Sequence, residues 1–270
     1  MKRLLIFVLI EFAFIACSSN NDGLITDPDY AEYITENAID TEINFMAEEI
    51  YTTNESQEPV LKLKLISSKI YPCINYQLST TEFINGNELI VRFEQIIEPD
   101  ICLTALGPAT ASIDLPENIS KLTFLNGIVI DKYSVAINEQ KISVTLIENK
   151  FTTSLYNNTF RIPENSFAYV CGTNTNNTNI YTDFSAIIGQ NPDFTEFVFE
   201  GEGRIPYPET TVGHWVNHPS KYYKYTDSAQ FDTLANILNA YAAENIEANS
   251  GVSIAIYGWN NINFYSWIEN

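Results

Sequence analysis

Both histidines of this chain fall in one short stretch, Gly213-His214-Trp215-Val216-Asn217-His218-Pro219. On a helix, positions i and i+4 share a face, and two imidazoles so placed suit zinc. Here Gly213 and Pro219 bracket the pair and no Glu follows His214, so the zinc-binding helix of metalloproteases is not what these residues spell. In an extended segment the rings would stand about 13 Å apart, too far to share one ion. A tight loop would converge them, with Glu209 as a third ligand, and such a site would make a metal-dependent hydrolase. The competing reading is an ordered loop that packs Trp215 against the body. Glu200 and Glu202 form a second candidate pair, since carboxylates two apart on a strand are about 6.5–7 Å apart, near the spacing of inverting glycosidases. Gly201 and Gly203 beside them point instead to a strand end with solvated acids.

Aromatic residues offer a different chemistry. Tyr257, Trp259, Tyr265 and Trp267, with the Tyr222-Tyr223-Tyr225 group, would present stacking platforms to sugar rings if exposed, or core if covered. The chain has no G-x-S-x-G, P-loop, G-x-G-x-x-G, C-x-x-C or EF-hand pattern, so no catalytic residue is assigned and no cofactor is expected. The expectation is therefore a binding or scaffolding module for a glycan or protein at the C-terminal aromatic hairpin. The alternative is the hydrolase built on His214, His218 and Glu209.

At the other end of the chain, Lys2 and Arg3 precede an apolar run from Leu4 to Ile15, and Ala16-Cys17 follows. Basic start, short apolar core and small residue describe a secretory signal over 1–16 that is too short to span a membrane. Phe14-Ile15-Ala16-Cys17 resembles the end of a bacterial lipoprotein signal. That resemblance implies that Cys17 becomes the acylated first residue and that lipid holds the protein to the membrane. Export makes disulfides available. Of the remaining cysteines, Cys73 and Cys102 share a β-patterned stretch and are the expected pair. Cys171 sits in the apolar run Phe167–Cys171 as a buried thiol.

Acidic residues outnumber basic ones by 34 to 14, for a net charge of −20, which excludes nucleic acid as a partner. Eleven acids and no base lie between Ser18 and Pro59, so 17–58 reads as a solvated tether beside the anchor. Within it, Asp27-Pro28 marks a helix start, and Ile39, Ile43, Met46 and Ile50 at helical spacing predict a short amphipathic helix.

From Val60 the hydrophobic period changes to two. Leu61, Leu63 and Leu65 alternate with lysines, Asn85-Gly86 marks a turn, and Leu89, Val91 and Phe93 alternate again. Seven such runs predict an immunoglobulin-like antiparallel β-sandwich over 58–150. Asp131-Lys132-Tyr133-Ser134-Val135 resembles the tyrosine corner of that fold, with Val135 where antibody domains have Cys. Asn/Thr-rich residues 151–162 read as a boundary. Beyond it come a strand at 167–171, a helix at 182–189, strands at 195–200 and 222–225, a helix capped by Asp227, and a final hairpin. That order predicts a ferredoxin-like α+β domain over 155–270, making the whole chain α+β. The complete chain resembles uncharacterised lipoproteins of Bacteroidota. The resemblance implies anchoring in the cell envelope at the outer membrane, and carries no activity.

Overall fold

The structure, a computed structural model, describes residues 27–268. The signal segment 1–16 and the expected lipidation site Cys17 lie outside the described residues. The chain divides into two units, Met1–Glu32 and Tyr33–Asn270. In the first, Asp27 caps a single 3-10 turn, Pro28–Tyr30, its carboxylate accepting from Asp29 N–H at 3.2 Å.

The second unit opens with β1, Ile43–Ile50, where helical spacing predicts an amphipathic helix. Ile43, Phe45 and Ala47 are all buried, and their period of two wins over the looser period of Ile39, Ile43, Met46 and Ile50. The tether reading of 17–58 is thus corrected: folded sheet begins at Ile43, inside the acidic segment. Then come β2 (Val60–Tyr71), β3 (Gln77–Asn85), β4 (Glu88–Ile97), β5 (Gly107–Asp114), β6 (Lys121–Asn126), β7 (Val129–Ile137) and β8 (Lys141–Glu148). The β3–β4 hairpin turns on Gly86-Asn87, one residue beyond the expected Asn85-Gly86, with Gly86 at φ +62°. The stretch expected as a boundary carries two more strands, β9 (Thr152–Ser154) and β10 (Asn158–Phe160).

These ten strands form one sheet in the order β10-β8-β7-β6-β4-β3-β5-β2-β1-β9. It is mixed, because β1/β9, β3/β5 and β4/β6 run parallel. Four strands separate β1 from β6, which in a flat sheet means about 24 Å. Yet the rings of Phe45 and Phe124 on those strands lie 4.7 Å apart, so the sheet curls over a single core. Phe93 and Tyr133 complete that aromatic centre. Register shifts at Ile66/Ile70, Ser79/Thr80 and Lys132/Tyr133 supply bends for the curl.

The remaining elements are β11 (Ser166–Thr173), α1 (Asn179–Gly189), β12 (Phe194–Phe197), β13 (Val216–Asn217), β14 (Lys221–Tyr225), α2 (Ser228–Asn245), β15 (Ser253–Gly258) and β16 (Asn263–Tyr265). Their sheet runs β12-β14-β11-β15-β16, with β13 paired to β11. Phe231, Leu234, Leu238 and Ala242 form the buried stripe of α2, and the first three pack with Phe184 of α1 on Phe167, Tyr169, Ile254 and Ile256. Asp227 caps α2 by accepting from Ala229 N–H. Gln230, three residues after Asp227 where a capping box would have its side chain reach back to the cap, instead accepts from Asn191 through its amide oxygen. The other sheet face, with Ala168, Val170, Tyr222 and Ala255, packs under the loop after β12 through Tyr207.

The α+β assignment, an immunoglobulin-like sandwich followed by a ferredoxin-like domain, is overturned. Strand accounts for 44% and helix for 13%, with two α-helices among the described residues, and the first body is one mixed, curled sheet. Period-two patterning identifies strands, but an all-antiparallel sandwich requires every partner to be antiparallel, and three pairings here are not.

Candidate binding cleft

Buried charge gathers where the first sheet gives way to the chain leading into the second. Arg161, just after β10, places its Nε 2.7 Å from Glu49 Oε1 and its Nη2 2.8 Å from Glu117 Oε1. The other Glu49 oxygen accepts from Ile162 N–H at 2.6 Å. Burial works against the guanidinium charge, but the hydrogen bonds and charges of Glu49 and Glu117 outweigh it, so the Arg161 pKa is raised. Beside it Glu48 receives Arg204 at 3.3 Å. Tyr51 donates to the carbonyl of Trp259 at 2.7 Å, and burial with the nearby Glu49 charge pushes its hydroxyl up to about 12.

A cleft of about 860 Å³ opens at this seam. Glu49, Arg161 and Ile162 lie along it. Its lining includes the chain leaving β12, Phe197-Val198-Phe199-Glu200, together with Phe160 and with Glu139 and Gln140 from the β7–β8 turn. Phe199 is fixed by Phe160 at 5.1 Å and Tyr222 at 5.0 Å. Trp259 closes one end, its indole N–H donating to Tyr225 Oη at 2.6 Å. Glu58 and Glu164 complete an acidic rim, against which stands Lys224, its ammonium 5.9 Å from the centre of the Phe197 ring. With seven charged side chains beside its aromatic residues, the cleft is more polar than the mostly apolar pockets that take small ligands.

Of the four aromatics expected to act together, Tyr257, Trp259 and Tyr265 pack against one apolar cluster, and Trp259 is the one that lines the cleft. Tyr257, Tyr265 and Trp267 form a run, with ring centres 6.0 and 4.9 Å apart and Trp267 57% exposed. Trp259, two residues past Tyr257 at the turn of the β15–β16 hairpin, lines the cleft. Tyr265 faces Ala255 in the register while Trp259 follows the Gly258 turn.

The proposed metal ligands do not converge. His214 Nε2 is 2.8 Å from Ser253 Oγ and its Nδ1 is 3.2 Å from the Val212 carbonyl. His218 Nε2 is 2.9 Å from Thr173 Oγ1, and its ring stacks on Tyr181 at 4.5 Å. Burial lowers the His218 pKa. Glu209 is exposed, with its carbonyl accepting from Ser220 N–H. Among the described residues no group of three His, Cys, Asp or Glu is placed to hold a metal. The histidines instead pin a hairpin over Gly172, where the His214 ring leaves no room for a Cβ, and Trp215 projects 84% exposed. Glu200 lines the cleft, whereas Glu202 stands exposed outside that lining.

Cys73 and Cys102 are joined, with Cα atoms 5.3 Å apart, and Cys171 is a buried free thiol that burial pushes up to about 11. No helix among the described residues is long and apolar enough to cross a membrane. Sequence reasoning missed Glu49, Arg161 and Phe199 as cleft residues. Glu49 was hidden in a segment read as tether, and only the Ile43/Phe45/Ala47 alternation could have exposed it as part of a strand.

Comparison with protein-family models, curated proteins and solved structures finds no match. Fold and site define a mostly-β protein with an acidic, aromatic-walled cleft at the seam of two sheets.

Proposed function

We propose that this protein is a binding module of the bacterial cell envelope, lipid-anchored at the outer membrane through Cys17, and that its ligand sits in the seam cleft. The lining of that cleft carries the reading. Phe160, Phe199 and Trp259 supply apolar contact area and are themselves fixed by ring packing or hydrogen bonds, so little ordering is needed on binding. The carboxylates set the charge a ligand must complement. The signal-like start with Cys17 supports the anchor.

Binding is tested by screening the purified mature protein on glycan and peptide arrays. Signal at any probe class should fall about tenfold in Phe199→Ala and Trp259→Ala and persist in Trp215→Ala. Loss only in Trp215→Ala would move the site to the exposed hairpin and reject the cleft. For the anchor, metabolic labelling with a palmitate analogue should mark the wild type and not Cys17→Ala; an unlabelled wild type free in the medium would refute it.

A further inference from the structure

β12 is the edge of its sheet, and among the described residues no strand pairs with its outer side. Phe194 N–H bonds the Asn191 carbonyl, and Tyr225 N–H, opposite it in the register, bonds the Asn165 carbonyl. The Phe194–Tyr225 pair is therefore the non-hydrogen-bonded kind. In an antiparallel ladder the kinds alternate, so Thr195 and Phe197 bond β14 while the N–H and C=O of Glu196 point outward. Open edges are usually blocked. This one instead leads into Val198, which is 72% exposed.

A hollow flanks the edge on each face of the sheet. On one side is the seam cleft, with Phe197 and Lys224 on its wall. On the other is a groove of about 320 Å³ between α1 and the strands, lined by Tyr181, Ala186, Glu196 and Tyr223. A strand added to an edge sends alternate side chains to opposite faces. Here the two sets would enter the cleft and the groove. The charges differ: Glu58, Glu139, Glu164 and Glu200 of the cleft make no ion pair among the described residues, whereas Glu196 in the groove is satisfied by Lys221 at 3.1 Å.

Resting on the cleft reading above, we propose that the ligand is an extended polypeptide that adds a strand to β12. Its basic side chains enter the seam cleft, and the alternating small apolar ones enter the groove beside α1. The backbone bonds fix its line and the carboxylates select its charge.

The test uses the mature protein and a fluorescent Ac-Val-Lys-Val-Lys-Val-Lys-amide probe, read by anisotropy. The probe should bind more tightly as salt falls, and its Glu-for-Lys counterpart should not bind. Of two versions, N-methylated on the Val amides or on the Lys amides, the one whose methyl groups face the edge should lose about tenfold or more, because the outward Glu196 carbonyl then lacks its donor, and the other should bind like the plain probe. Glu196→Pro should lose as much and Glu196→Ala little, since Pro on an outward-facing edge position leaves the β14 ladder intact. Equal binding of both N-methylated probes and the plain one would overturn strand addition; if binding then still falls in Phe199→Ala, the cleft reading survives. Displacement of the probe by neutral oligosaccharides that themselves bind the cleft would overturn the peptide class. A dimer that Glu196→Pro dissolves would overturn it too, by showing that a second copy occupies the edge.

Discussion

Arg161 and Glu49 meet at 2.7 Å, tying the chain just after β10 to β1, the side chain of Glu49 only 2% exposed and that of Arg161 20%. Such a pair is costly to break from one side, because the partner stays behind as an unpaired buried charge. Arg161→Ala is expected to lower unfolding free energy by about 3 kcal/mol. Glu117→Ala, which removes a partner 66% exposed, should cost under about 1 kcal/mol. Urea denaturation of the two variants checks the order, and equal costs would mean that the buried Arg161–Glu49 pair is not where the charge energy resides.

Asp131 does a comparable job inside the first sheet. Its carboxylate accepts the backbone N–H groups of Lys150, Phe151 and Thr152 at 2.7, 3.0 and 2.6 Å, and the Thr152 hydroxyl at 2.6 Å. Tyr133, two residues on, donates to the Thr152 carbonyl at 2.8 Å. Asp131→Ala orphans several buried donors and should cost about 3 kcal/mol or more, against about 1 kcal/mol for Tyr133→Phe. Thermal unfolding of both variants measures the difference, and a Tyr133→Phe loss as large as that of Asp131→Ala would contradict this ranking.

The cysteines should separate by chemistry. Reducing the Cys73–Cys102 bridge, whose ends are 29 residues apart, should remove about 3–4 kcal/mol on the chain-entropy model. Cys171, with its thiol pushed up to about 11 by burial, should resist iodoacetamide at pH 8 in the folded protein and react once unfolded. Mass spectrometry of the alkylated peptides reads both states, and rapid native labelling of Cys171 would show that its strand opens.

Burial lowers the pKa of His218, so its neutral form is the one the fold prefers. The unfolded chain takes up this proton near the ordinary histidine pKa, and the folded chain only at lower pH. Its contribution to stability is therefore present above about pH 6.5 and lost as pH falls through that range. His218→Phe keeps the Tyr181 stack and should flatten the acid side of a melting-temperature profile between about pH 7 and 5. An NMR titration of the ring above the ordinary value would reverse the sign.

Much of the local structure could be read directly from residue order. Leu61, Leu63 and Leu65 alternate because one face of β2 is buried, and the stripe of α2 from Phe231 to Leu238 reflects one covered face. What fails is pairing at a distance. Nothing in Glu88–Ile97 announces that β4 lies parallel to β6, and β9, built from Thr152-Thr153-Ser154, has no apolar period at all. The acidic character of Ile43–Ile50 concealed an interior strand, because Glu48 and Glu49 are neutralised by Arg204 and Arg161 more than a hundred residues away. For the same reason His214 and His218 looked like ligands: spacing alone does not say that Ser253 and Thr173 wait beside them.

The parallel pairing of β1 with β9 has a kinetic consequence. The first strand of the sheet gains its second neighbour only when residues some hundred positions later arrive, and Ile43 N–H then bonds the Phe151 carbonyl. Closure of so long a loop comes after the local hairpins, and a chain dominated by such contacts folds slowly. Until then the free side of β1 is an exposed strand edge. Deletion of residues 152–154 would leave that edge open in the finished protein, where it could pair with another chain.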